Sequence, residues 1–177
     1  ILILIDQEGG KVSRLNYPNW PKFPETEYFG SLASKNINHA KKETYNNYFL
    51  IGTELRELGI NYNCAPVLDL KFDKANSIIG TRSFSKRPDH TAMLGYQACK
   101  GLLDANVIPI LKHIPGHGRA KVDSHHELPV IKDSAIALEK SDFYPFKKLN
   151  KFPAVMTAHI KFSAFDKNYP VTHSKKI

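Results

Sequence analysis

Val107-Ile108-Pro109-Ile110-Leu111-Lys112-His113-Ile114-Pro115-Gly116-His117-Gly118 is the stretch on which the fold turns. Its first five residues make an apolar run of strand length, which passes directly into a cation, an imidazole and a Pro/Gly-rich loop. Such a run suits a strand buried on both faces of a parallel sheet. Three other segments end in the same way. Ile1 to Ile5 runs into Asp6, Ile60 to Leu70 carries Asp69 near its end, and Ala154 to Ala158 stops at His159.

Helical patterns separate these runs. Residues 11–33 contain Pro18, Pro21 and Pro24 and are expected to form a long loop. From Ser34 onward Ile37, Ala40, Tyr48, Ile51, Leu55 and Leu58 recur at helical spacing until Gly59 stops them. Pro88 opens a second helix through Met93, Leu94, Ala98, Leu102 and Leu103, and Asp133 is placed to cap a third over Ile136 to Leu149. The segment 114–130 is too rich in Gly, His and Pro for regular structure. The alternation of strand and helix predicts an α/β fold of parallel strands with helical crossovers. In a (β/α) barrel of TIM type the ionisable residues at the strand ends face one pocket. In an open doubly wound sheet they would line a crevice instead. Four strands are counted, about half of the eight that a closed barrel needs.

The 177 residues are 42% hydrophobic and 24% charged, a globular profile with the length of one domain. The longest aliphatic run is far shorter than the roughly 20 residues of a membrane span, so no membrane partner is expected. Twenty-five Lys+Arg against 17 Asp+Glu give a net charge of +8. The lysines are scattered in ones and twos without a basic stripe, so no nucleic-acid partner is expected either. G-x-G-x-x-G and P-loop patterns are absent, leaving nucleotide phosphate without a cradle. Cys64 and Cys99 lie in apolar contexts with no C-x-x-C and read as buried free thiols.

Half of the eight histidines fall between His113 and His126. His113 and His117 are four apart, yet Pro115, Gly116 and Gly118 forbid the helix that would put both on one face. Metal ligation from the loop stays open as a lesser alternative, a metal-dependent hydrolase. Asp123 and His125 are separated by one residue, so an extended chain would point both side chains the same way. A carboxylate beside an imidazole fixes its tautomer and raises its pKa, which makes it a proton donor near neutrality.

Taken in order, Asp6-Gln7-Glu8-Gly9-Gly10 with Arg14, Ala65-Pro66-Val67-Leu68-Asp69-Leu70, Ile79-Gly80-Thr81-Arg82-Ser83-Phe84, Lys112-His113-Ile114-Pro115-Gly116-His117-Gly118, Asp123-Ser124-His125 and Val155-Met156-Thr157-Ala158-His159 resemble one family. The chain is similar to bacterial β-N-acetylhexosaminidases of glycoside hydrolase family 3, of the peptidoglycan-recycling type. Any one of these motifs is common. Six in the family's order and spacing, from residue 1 to about 174, are specific.

The resemblance implies a partial (β/α)8 N-terminal catalytic domain over residues 1–177. It also implies retaining hydrolysis of terminal β-linked N-acetylglucosamine from glycans such as muropeptides, without a cofactor or a metal. By the same resemblance His125 is the general acid/base, unlike the second carboxylate of most glycosidases, and Asp123 is its partner. Asp6, Arg14, Arg82, Lys112 and His113 are implied to hold the sugar. Asp69 and His159 are expected to orient their neighbours and Glu8 to brace its loop, while His117 and His126 are given no role.

The family's nucleophile is an Asp in a Ser-Asp-Asp-like stretch beyond the Val-Met-Thr-Ala-His segment, and nothing in this chain matches it. Asp166 lies in the right direction of the sequence but in a loop. The chain is therefore expected to be an internal portion of the enzyme. The expectation extends to a second polypeptide that supplies the missing strands, or else to an inactive sugar-binding remnant. Recycling of cell-wall sugars and the free thiols point to the cytoplasm.

Overall fold

A computed structural model of the chain describes residues 1–73, 75, 78–123 and 126–177. In chain order its elements are β1 (Leu4–Ile5), α1 (Thr26–Lys35), α2 (Ile37–Glu57), β2 (Tyr62–Asn63), a 3₁₀ turn (Gly80–Arg82), α3 (Pro88–Asp104), β3 (Ile108–Ile114), β4 (Val130–Ile131), α4 (Ala135–Lys140), α5 (Tyr144–Lys148), β5 (Ala154–Thr157) and β6 (Lys161–Phe162). β1, β2, β3 and β5 form one sheet in that order, and every pairing is parallel. Leu4 lies opposite Tyr62, Tyr62 opposite Ile108, and Ile110 opposite Ala154. The strand order follows the chain with no reversal. A doubly wound sheet has a reversal where its ligand binds, so this is the order of a barrel wall.

The helices cover one face of that wall. α2 and α3 cross with Phe29, Ala40, Tyr48, Ile51, Leu55, Leu94, Ala98 and Leu102 in a single buried cluster. A Cβ on Gly101 would stand 2.6 Å from the Tyr45 carbonyl oxygen, so only glycine permits this approach of the two backbones. Leu68, Ala92, Cys99, Leu111, Phe146 and Leu149 make a second cluster that joins α3 and α5 to the sheet. A third cluster, with Ile131, Leu138, Phe143, Ile160 and Phe162, lies under a small parallel pair of β4 and β6. Cys64 and Cys99 are both buried and unbridged.

Several expected boundaries shift. Residues 11–33 are not loop throughout, because α1 begins at Thr26. A proline blocks helix at its own position and just before it, so the chain is free to coil two residues after Pro24. Ile1 to Leu4 are exposed rather than buried on both faces, since β1 pairs only with β2 and stands at the edge of the sheet. The 60–70 segment holds the ladder only at Tyr62–Asn63 and touches β3 again at Val67, opposite Lys112. Pro66 between them has no N–H to give.

The helix expected over 136–149 is two short ones. Ser134, not Asp133, caps the first by accepting from the Ala137 amide, and Asp133 instead pairs with Arg119 at 2.8 Å. Within the 114–130 segment, β3 extends to Ile114 and β4 begins at Val130.

Candidate active site

The loops that leave the C-terminal ends of β1, β2, β3 and β5 surround a cavity of about 470 Å³. Its lining brings together Asp6, Arg14, Arg82, Lys112, His113 and Asp123, residues that are far apart in the chain. Glu8, His117 and His159 join them, and Val12, Ile78, Ile79, Met156 and Ala158 supply apolar wall. This size and mixture suit a small polar ligand with one apolar face. His125 lies outside the described residues. Asp123 itself is on the lining, and its carbonyl accepts from the amides of His126 and Glu127.

A chain of opposite charges forms one side of the cavity. Asp6 follows β1 and is 37% exposed, whereas the Glu8 side chain is 1% exposed. The Lys112 ammonium, 2% exposed at the end of β3, spans the two. Its Nζ is 2.8 Å from Asp6 Oδ1 and 2.6 Å from Glu8 Oε1. Arg82 grips Glu8 with two parallel bonds, Nε to Oε2 at 2.9 Å and Nη2 to Oε1 at 2.8 Å, and donates a third to the Ile78 carbonyl. This is the fork geometry for which guanidinium and carboxylate are matched. Arg14, 61% exposed, reaches Asp6 Oδ2 only at 3.6 Å. Burial pushes the Asp6 carboxyl up, but the Lys112 hydrogen bond and the charges of Lys112, Arg14 and Arg82 outweigh it and hold it below the usual value.

Local structure explains why the loop after β1 holds this shape. Gln7 is buried; its Oε1 accepts from the amides of Arg14 and Leu15, while its Nε2 donates to the Leu15 carbonyl. Asn63 at the end of β2 then exchanges two hydrogen bonds with the Gln7 backbone. The neighbouring strand thus fixes the loop that presents Asp6 and Glu8.

Asp69 lies behind two lining residues, His113 and His117. Its carboxylate is fully buried and lies 2.6 Å from His113 Nδ1 and 2.6 Å from the His117 amide nitrogen. Burial alone would raise its pKa, and the charges and hydrogen bonds of His113 and His117 bring it below the ordinary value. His117, packed edge-on to His113 at 5.5 Å, has its pKa lowered by burial. A Cβ on Gly118 would meet the Leu70 carbonyl oxygen at 2.1 Å, so the loop after β3 can lie this close to the 60–70 segment only through glycine. At the β5 end His159 Nδ1 is 2.8 Å from Thr172 Oγ1.

Every described residue singled out from the sequence for catalysis or sugar contact therefore reaches the one cavity. The reading of Glu8 as a loop brace is too narrow, since it holds two cations, one of them 74 residues away. His117 also lines the cavity, and Asp69 stands behind it, buried against His113 and the His117 amide. Among the described residues no group of three or more His, Cys, Asp or Glu is arranged to hold a metal ion, and no helix is long and apolar enough to cross a membrane. Asp166 lies apart from this cavity's lining and accepts from the Asn168 and Tyr169 amides and the Ser174 hydroxyl, which is the work of a turn.

The similarities to known proteins are as close as the geometry. A Beta-hexosaminidase A of Pseudoalteromonas piscicida is 37% identical over 179 residues, which is 99% of this chain and 29% of that protein. A glycoside hydrolase family 3 beta-N-acetylglucosaminidase from Paenibacillus sp. str. FPU-7 superposes with a TM-score of 0.89 at 38% identity, over 97% of this chain and 32% of that one. NagZ from Neisseria gonorrhoeae, solved in complex with N-trifluoroacetyl-D-glucosamine, gives 0.89 at 32% identity, over 96% of this chain and 50% of its own. The chain thus spans half or less of the length of each of them. Residues 1–177 match the Glycosyl hydrolase family 3 N terminal domain from end to end, and the chain belongs to that family.

Proposed function

We propose that the cavity binds a terminal N-acetylglucosamine residue and that the protein is part of a retaining β-N-acetylhexosaminidase. The observation that carries this reading is the Asp6–Lys112–Glu8–Arg82 chain of charges, which lines one cavity together with His113. A sugar offers several hydroxyls, each of which both donates and accepts. Binding it takes a fixed carboxylate acceptor and fixed cationic donors on one wall, already paired so that no buried charge is left bare. Asp6 accepts from sugar hydroxyls, while Arg14, Arg82 and the Lys112-His113 pair hold the ring. The names of the relatives support the same substrate class.

In this reading His125, assisted by Asp123, protonates the glycosidic oxygen as the bond breaks and then takes the proton of the attacking water. The nucleophile that forms the covalent glycosyl-enzyme is an Asp from outside these 177 residues, as are the remaining barrel strands. Glu8 and Asp6 are each held against cations and serve as acceptors, not nucleophiles. Muropeptide fragments in the cytoplasm are the proposed natural substrates.

The test is hydrolysis of an aryl N-acetyl-β-glucosaminide by the protein together with the remaining barrel strands and their Asp, with His125→Ala and Asp123→Asn alongside. Turnover that falls by about a hundredfold or more in His125→Ala supports the assignment. Asp123→Asn should hurt most with poor leaving groups, which depend on the proton. Equal rates in wild type and His125→Ala would refute the assigned acid/base.

A further inference from the structure

Of the buried carboxylates that the mechanism above leaves unused, Asp69 is the one in contact with residues that line the cavity. The Asp69 side chain is fully buried, and donors converge on both its oxygens: the His117 amide on Oδ1, His113 Nδ1 on Oδ2, and the His113 amide at 3.3 Å from each. An ionised carboxylate is an acceptor only. Two backbone amides and an imidazole nitrogen turned toward it are the surroundings of a carboxylate and not of a carboxylic acid. The close contact at 2.6 Å then requires that the proton between Asp69 and His113 belong to Nδ1.

We infer that Asp69 is a positioning residue that fixes His113 with its proton on Nδ1, so that Nε2 is the nitrogen offered to the ligand and accepts a hydrogen bond from a sugar hydroxyl. This deepens the sugar-site reading and rests on it for the identity of the ligand. The neighbouring wall is rich in donors, with Arg14, Arg82 and Lys112 all cationic, and its side-chain acceptors among the described lining residues are Asp6, Glu8, Asp123, Thr157 and the histidines. Glu8 is already occupied by Lys112 and Arg82. An Nε2 acceptor in the same cavity as Asp6 supplies a second contact for a hydroxyl-bearing ring.

The carboxylate also fixes where the imidazole stands. The same group that holds the ring holds the amides at both ends of the His113–His117 loop. Asp69→Asn keeps an acceptor for the His117 amide but turns an N–H toward His113 Nδ1. That nitrogen must then accept, the ring proton moves to Nε2, and the cavity-facing atom changes from acceptor to donor.

The experiment is nitrogen NMR of the imidazole rings in the ¹⁵N-labelled protein, with the pH raised until the His113 ring is neutral and its signals identified by their loss in His113→Gln. N-acetylglucosamine is titrated into the same samples. The wild type should carry its proton on Nδ1 and Asp69→Asn on Nε2. The amide spectrum should stay folded, with sugar binding about tenfold weaker, the loss of one directed hydrogen bond. A neutral wild-type ring with a bare Nδ1 overturns the inference, and so does a switched tautomer with undiminished binding. Should Asp69→Asn not fold, the wild-type ring alone decides. A wild type that holds the Nδ1 proton but ignores the sugar supports Asp69's hold on the ring and refutes the sugar-site reading instead.

Discussion

At the scale of single residues the site is a set of buried charges that stabilise one another only while all are present. Glu8 is the clearest case, because it accepts from both Lys112 and Arg82 while almost wholly removed from water. Glu8→Gln leaves two buried cations short of a counter-charge and should cost about 3 kcal/mol in urea unfolding, the range found when one partner of a buried pair is deleted. Loss below about 0.5 kcal/mol, the scatter of surface substitutions, would show that water reaches this cluster freely. The pH dependence follows from the lowered carboxyls. Asp6 and Asp69 titrate below their unfolded value of about 3.9, so their contribution is complete above that pH and is lost as pH falls through their folded values. His117 is also shifted down, so the unfolded chain takes up its proton first, and stability begins to fall below about pH 6.5. Urea midpoints measured against pH should therefore decline in two stages. His117→Gln should remove part of the earlier one and leave the acid stage in place.

At the scale of elements, loops are placed by close backbone contact as much as by side chains. Gly118→Ala forces a Cβ onto the Leu70 carbonyl, which no side-chain rotation relieves. It should cost about 2 kcal/mol or more and shift the amide signals of residues 113–118, whereas Ser134→Ala at the α4 cap should cost about 1 kcal/mol and leave them unmoved. Much at this scale was legible in the sequence, for stated reasons. The apolar run 107–111 ending in Lys112-His113 announced a strand aimed at a pocket, and Pro88 marked the start of α3. α1 was obscured by the three prolines before it, and the split between α4 and α5 lay beneath a continuous apolar pattern. The Asp69–His113 pair spans 44 residues and the Glu8–Arg82 pair 74, so no local spacing could reveal either. The six motifs could place these residues in a family, but not pair them with one another.

At the scale of the whole molecule, the four-stranded sheet has barrel order with β1 and β5 at its edges. Leu4 and Val155 are exposed there, together with Ile1, Leu2 and Ile3. The cavity lies at the C-terminal end of this sheet, where parallel strands deliver their following loops to one place. That delivery is why Asp6, Arg82, Lys112 and His113, drawn from the whole length of the chain, stand around one space. The most direct test is titration of N-acetylglucosamine into the protein, followed by amide NMR, with Asp6→Ala in parallel. The account predicts saturable binding, with shifts at residues 6, 82, 112 and 113, that disappears in a folded Asp6→Ala. No binding by the wild type, or binding undiminished in Asp6→Ala, would contradict it.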